Sequence, residues 1–136
     1  KINAVAIEVE PSPDIIVLLG EDAFENQFLI QELLKKIEIE VDVANNGVEG
    51  IEKVQNGNYD VILMDMQMPI LDGYSATKRL RKAGYKKPIL ALTASAMTEE
   101  RAMALAAGCN AYLTKPIDAG ILLGAIKEWA GTIQHH

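Results

Sequence analysis

A chain of 136 residues is long enough to bury a real core as one compact domain. Its 49% hydrophobic and 24% charged content is an ordinary globular balance, and no apolar run approaches the roughly 18 residues that a membrane-spanning helix needs. A net charge of -6 argues against a general nucleic-acid binder. The single cysteine, Cys109, excludes an internal disulfide and fits a reducing compartment.

Residues 1–13 read as a leader and linker. Val5, Ile7 and Val9 alternate with Ala6, Glu8 and Glu10, and Pro11-Ser12-Pro13 separates them from the rest of the chain. The segment is too short and too acidic for a signal peptide; it is either an extra strand or the tail of a preceding domain. DIIVLLG, Asp14 to Gly20, predicts a buried strand. Phe24, Phe28, Leu29, Leu33 and Ile37 recur at helical spacing. Ile39 to Ala44 alternates apolar and acidic residues, as a half-exposed edge strand would. Asn46 and Glu49 form a capping box ahead of a helical stripe of Val48, Ile51 and Val54, closed by Gly57. Asp60 to Met64 is another buried strand, and Gly73 to Ala83 a polar helix stopped by Gly84. Pro88 to Leu92 is a fourth strand. Thr98 is placed to cap a helix whose first turn carries Glu99 and Glu100, and which ends at Gly108. Ala111 to Leu113 is a short strand. Asp118 opens a last helix with Ile121, Leu122, Ala125, Ile126 and Trp129 on one face. The domain spans 14–131; residues 132–136 are a tail whose terminal His135 and His136 read as part of a purification tag, so no catalytic histidine is expected.

Strand and helix alternate five times, which implies a parallel sheet covered by helices on both faces. Such sheets carry their chemistry beyond the carboxyl ends of the strands. Those ends deliver Glu21 and Asp22 after the first strand, Asp65 after the third, Thr93 after the fourth and Lys115-Pro116 after the fifth. Each residue alone has an ordinary explanation: a helix cap, a turn, a backbone-bonded hydroxyl, a solvated charge. Four strand ends converging on one rim make that combination improbable. Three carboxylates about 4 Å apart repel by roughly 4 kcal/mol per pair at an effective dielectric near 20, so the cluster needs a cation. All-oxygen ligands without His or Cys point to Mg²⁺, which suits phosphate chemistry. With the Lys115 ammonium and the Thr93 hydroxyl, the set describes a phosphoryl site in which Asp65 is the nucleophile.

Four stretches in order, LLGED, VILMDMQMPILDG, ALTASA and AYLTKP, resemble the receiver domain of two-component response regulators over roughly Ile15 to Trp129. The opening GEDAFENQ is similar to receivers of hybrid sensor histidine kinases, with Ala23 where those usually have asparagine. The resemblance implies a doubly wound (βα)5, flavodoxin-like three-layer sandwich with a five-stranded parallel sheet of order 2-1-3-4-5. It implies that Asp65 accepts a phosphoryl group from a phosphohistidine on a histidine kinase or histidine phosphotransfer protein. Mg²⁺ would be held by Asp22, Asp65 and the backbone carbonyl of Gln67, with Glu21 assisting through water. Lys115 would pair with the phosphoryl oxygens, Thr93 would move toward them, and Tyr112 would change rotamer with it. Pro116 is expected to follow a cis peptide.

Gln67 and Ser95 flank the site and would shape water access. The surface of the fourth helix, fifth strand and fifth helix would switch and could also support a homodimer. Phe24 and Phe28 either dock the histidine-bearing helix or pack in the core, the commoner fate of helical aromatic stripes. The setting implied is cytoplasmic, including the cytoplasmic part of a membrane-anchored kinase, with no direct contact to nucleic acid or membrane. On this reading the chain is a signalling switch and not an enzyme, beyond phosphotransfer to its own Asp65 and slow self-dephosphorylation. The alternative is a Mg²⁺-dependent phosphohydrolase with an aspartyl nucleophile. Such enzymes usually carry an acid two positions after the nucleophile, where this chain has Gln67.

Overall fold

A computed structural model describes residues 14–95 and 97–134. The expected leader at 1–13 and the terminal histidines lie outside the described residues. Five strands alternate with five helices: β1 (Ile16–Gly20), α1 (Phe24–Lys35), β2 (Glu40–Ala44), α2 (Gly47–Asn56), β3 (Val61–Asp65), α3 (Gly73–Lys82), β4 (Ile89–Thr93), α4 (Thr98–Ala107), β5 (Ala111–Thr114) and α5 (Ala119–Gln134). The last helix continues past the boundary expected at 131.

All strand pairs are parallel and the order is β2-β1-β3-β4-β5. The chain steps from β1 outward to β2 and then returns to the other side of β1 to form β3. The order therefore reverses between β1 and β3, and a crevice opens beyond their carboxyl ends.

Alternation along each strand builds two cores. Val17, Leu19, Leu63 and Leu90 face Ile30 and Leu34 of α1 and Leu122 and Ile126 of α5. Leu18, Ile62, Met64 and Ala91 face Val54 of α2, Ala76 and Leu80 of α3 and Ala104 of α4. The inner strands are thus buried on both faces, which is why β3 reads as an unbroken apolar run up to its acid. The edge strand β2 carries half-exposed residues, as its acidic alternation predicts.

Local signals set most helix ends. The Asn46 side chain accepts from the Glu49 N–H at 2.8 Å, while the Glu49 carboxylate accepts from the Asn45 N–H, so the capping box closes one residue earlier than its usual form. Asp118 Oδ1 accepts from the Ile121 N–H at 2.9 Å and opens α5. Gly108 ends α4 at φ 116°, a left-handed position suited to glycine. Thr98 is not the cap of α4. The cap position is Met97, whose N–H donates to Ser95 Oγ at 3.0 Å, so the turn is made by Ser95 and Thr98 is already helical.

The α1 stripe is out of phase with expectation, whereas the stripes of α2 and α5 bury Val54, Leu122 and Ile126 as expected and each leave one end residue exposed. On α1 the buried residues are Ile30 and Leu34, while Phe24 is 72% and Phe28 55% exposed. The core reading of the two phenylalanines is therefore wrong: the aliphatic stripe faces the sheet, and the aromatics lie on the solvent side. Val48 on α2 and Ile121 on α5 are likewise exposed, their neighbours Val54, Leu122 and Ile126 taking the core.

Candidate functional site

The crevice between β1 and β3 holds the predicted cluster. Glu21 and Asp65 are buried, at 1% and 4% exposure, and Asp22 is exposed. Each of the three places a carboxylate oxygen within 4.8 Å of the others. The loop after β3 brings its own backbone to the site. The Gln67 N–H donates to Asp65 Oδ1 at 3.0 Å, which fixes the carboxylate against its strand end. Gly73 closes that loop on the strand: a Cβ at this position would lie 2.2 Å from the Asp65 carbonyl oxygen. Asp72 accepts from the Ser75 N–H at 2.8 Å and starts α3 there.

Lys115 crosses from the end of β5 to both buried acids. Its Nζ donates to Asp65 Oδ2 at 2.7 Å and lies 3.1 Å from Glu21 Oε1. The Lys115–Pro116 peptide is cis, as expected. Burial works against the ammonium, but the contacts with Asp65 and Glu21 outweigh it and hold the lysine pKa above its usual value. Glu21 shifts upward as well. Burial is the largest cause and the Asp65 charge adds to it, while the Ala23 N–H and Lys115 pull the other way.

Glu21 has supports that the strand-end pattern does not assign. Its Oε2 accepts from the Ala23 N–H at 3.0 Å and from Asn26 Nδ2 at 3.4 Å. Gln27 Nε2 donates to the Glu21 carbonyl and, at 2.7 Å, to Asn45 Oδ1. The signal for these contacts is the Asn26-Gln27 pair within GEDAFENQ. The other oxygen, Oε1, is buried and accepts no aligned hydrogen bond. A buried carboxylate oxygen left so, facing two further carboxylates, fits a hard cation bound through oxygen ligands. Glu21, Asp22, Asp65 and the Gln67 carbonyl are the groups that could hold it.

Thr93 is buried at the end of β4, and its Oγ1 donates to the Ser95 carbonyl at 2.8 Å. Tyr112 pairs in register with Ala91, two residues before Thr93. Side chains two apart on a strand share a face, so Thr93 and Tyr112 both point toward the α4 side of the sheet. Tyr112 is half-buried and borders a cavity of about 320 Å³ lined also by Pro116, Ile117, Asp118, Ile121 and Leu122. Phe24 and Phe28 stack with centroids 6.2 Å apart, just past the acidic pair.

A doubly wound parallel sheet with acids at its switch point and a lysine from the last strand defines a flavodoxin-like domain built around one carboxylate. Residues 17–127 match the family model for the response regulator receiver domain, and the chain belongs to that family. It is 40% identical to two-component response regulator 24 of Arabidopsis thaliana, over 84% of this chain and 83% of that protein. It is 43% identical to hybrid signal transduction histidine kinase G of Dictyostelium discoideum over 90% of this chain, which spans 4% of that much longer protein. Relatives of both kinds, free regulators and hybrid kinases, therefore share this domain.

Two solved structures bear on the site. The receiver domain of a sensor histidine kinase from Pseudomonas aeruginosa PAO1, with a magnesium ion in its active-site cleft, superposes with a TM-score of 0.80 at 38% identity, covering 86% of this chain and 98% of that one. The receiver domain of Saccharomyces cerevisiae Ssk1, co-crystallised with the histidine phosphotransfer protein Ypd1, gives a TM-score of 0.83 at 34% identity, covering 89% of this chain and 92% of that one. This chain is thus a receiver domain of two-component phosphorelay signalling. Among the described residues no helix is long and apolar enough to cross a membrane.

Proposed function

We propose that Asp65 is the phosphoacceptor of this receiver and that residues 14–131 are the unit that carries the reaction, with 1–13 as a linker. The observation that supports it most is the buried Asp65 carboxylate, held by the Lys115 ammonium at 2.7 Å with Glu21 and Asp22 beside it. One Asp65 oxygen attacks the phosphorus of a phosphohistidine, the P–N bond breaks, and the electron pair leaves with the imidazole. Phosphoryl transfer asks the protein mainly for position and charge. The Gln67 N–H orients the carboxylate, and Lys115 turns from its present partners to the new phosphoryl oxygens. Mg²⁺, when held by Glu21, Asp22, Asp65 and the Gln67 carbonyl, neutralises charge on the transferring oxygens.

The phosphoryl group adds about two negative charges and new acceptors. Thr93 leaves the Ser95 carbonyl to donate to it, and Tyr112 turns into the space that this opens. The face of α4, β5 and α5 then changes for a downstream partner or a second copy of the chain. Ser95 and Gln67 control the approach of water, so that the aspartyl phosphate hydrolyses slowly and the chain acts as a switch in a cytoplasmic setting. The exposed Phe24–Phe28 stack, beside the acidic pair, is the docking surface for the helix that carries the donor histidine. Gln67, two residues beyond the nucleophile, has no titratable proton, which speaks against the hydrolase reading.

The test is incubation with Mg²⁺ and a small phosphodonor, or with beryllofluoride, comparing the wild type with Asp65→Asn. The wild type should gain one acid-labile phosphate and a Mg²⁺-dependent spectral change, and the variant neither. Multiple turnover of a generic phosphatase substrate would support the hydrolase instead.

A further inference from the structure

One contact on the switch face takes no part in phosphotransfer to Asp65. Arg101, on α4, lies with its guanidinium carbon 5.3 Å from the centroid of the Tyr112 ring. Arg101 is exposed, and among the described residues it makes no ion pair. A long side chain with several free rotors gives up entropy to stay in one place, and here the aromatic face is the partner that holds it.

We propose that Arg101 is a positioning residue for the switch: stacked on Tyr112, it stabilises the ring in its resting place and so holds the domain back from the phosphorylated arrangement. This rests on the reading that Tyr112 turns inward when Thr93 moves. On the inward side Tyr112 is next to the buried Ala91 in the sheet register, a side chain no larger than a methyl group. The guanidinium cannot follow the ring inward, because burying an unpaired charge costs far more than the stack contributes. The stack and the phosphoryl group therefore compete for Tyr112. By linkage, whatever Arg101 adds to the resting state is taken from the affinity for the phosphoryl group.

The test is beryllofluoride binding in saturating Mg²⁺, read by titration for the wild type, Arg101→Ala and Arg101→Lys. Both variants are also made in a Tyr112→Leu background, which lacks the ring. A partly exposed cation–π contact predicts that Arg101→Ala binds about two- to fivefold tighter than wild type. Arg101→Lys keeps a cation over the ring and should restore most of the wild-type value. In the Tyr112→Leu background, Arg101→Ala should no longer tighten binding. The sign is diagnostic, since losing a nearby positive charge would by itself weaken anion binding. Unchanged or weaker binding by Arg101→Ala overturns the proposal, and so does tightening that persists without the ring. A wild type that binds no beryllofluoride at all would instead refute the phosphoacceptor reading, and the role of Arg101 with it.

Discussion

Lys115→Met removes the one cation that bridges Glu21 and Asp65 while keeping an apolar stem of similar length. At an effective dielectric near 20, the two ion pairs at 2.7 and 3.1 Å have gross attractions of about 6 and 5 kcal/mol. Desolvation of three charges offsets most of that sum, so the useful quantity is the cost of stranding the two acids. Their oxygens lie within 4.8 Å of each other, which leaves a repulsion of about 3 kcal/mol without relief. Removing one partner of a fully buried pair costs about 3–5 kcal/mol. The Lys115 side chain is 24% exposed, so solvent screens part of the loss, and about 2–3 kcal/mol is expected. Urea denaturation at pH 7 in a chelator should show that loss at an unchanged m value.

The same measurement in Mg²⁺ distinguishes stranded charge from simple loss of packing. A divalent ion among the acids replaces the missing charge and binds only the folded state, so the deficit should fall below about 1 kcal/mol. Adding Asp65→Asn to Lys115→Met should also recover part of it, because one of the two repelling charges is gone. An equal deficit in chelator and in Mg²⁺, or no deficit in either, would refute the reasoning.

Tyr59 donates to Asp42 Oδ2 at 2.6 Å, and its pKa is pushed up to about 12, chiefly by burial and then by that bond. A raised phenol contributes stability that is complete below the unfolded value near 10 and lost as pH rises toward 12. Tyr59→Phe should cost about 1 kcal/mol at pH 7, and the difference from wild type in urea should shrink across that alkaline window. Gly73→Ala should cost more than about 2 kcal/mol by thermal melting, since its Cβ would meet the Asp65 carbonyl oxygen at 2.2 Å and neither backbone can retreat. Phe24→Ser with Phe28→Ser should slow phosphotransfer from a histidine phosphotransfer protein at least tenfold. Transfer from a small phosphodonor and the melting temperature should not change, because both rings are largely exposed.

Much of the site was legible because the fold turns sequence position into spatial position. In a parallel sheet every strand ends at the same rim, so the acids after β1 and β3, the threonine of β4 and the lysine after β5 must approach one another once five strand–helix units are recognised. Helix ends were legible where the signal is local, as at Asn46, Asp118 and Gly108, and shifted by a residue at Thr98, where a neighbouring serine made the turn first.

The phase of the α1 stripe was not legible. Phe24 and Phe28 satisfy the same period as Ile30 and Leu34, and only packing against the sheet selects which set is buried. Nor could spacing reveal long-range side-chain partners. Arg81 donates to the carbonyls of Gly108, Tyr85 and Lys87 and to Asn110 Oδ1, and so ties the end of α3 to the strands beyond it.

By itself, then, the sequence determined the alternation, the rim and the chemical set: three carboxylates, one ammonium and one hydroxyl. These follow from period, chain order and residue type, which are properties of short stretches. The tertiary structure alone decided which groups are already engaged. It placed Lys115 between two acids, turned the aromatic pair of α1 outward and laid Arg101 over Tyr112. Those contacts join residues far apart in the chain or depend on which way a packed helix is rotated, and neither leaves a trace in local pattern.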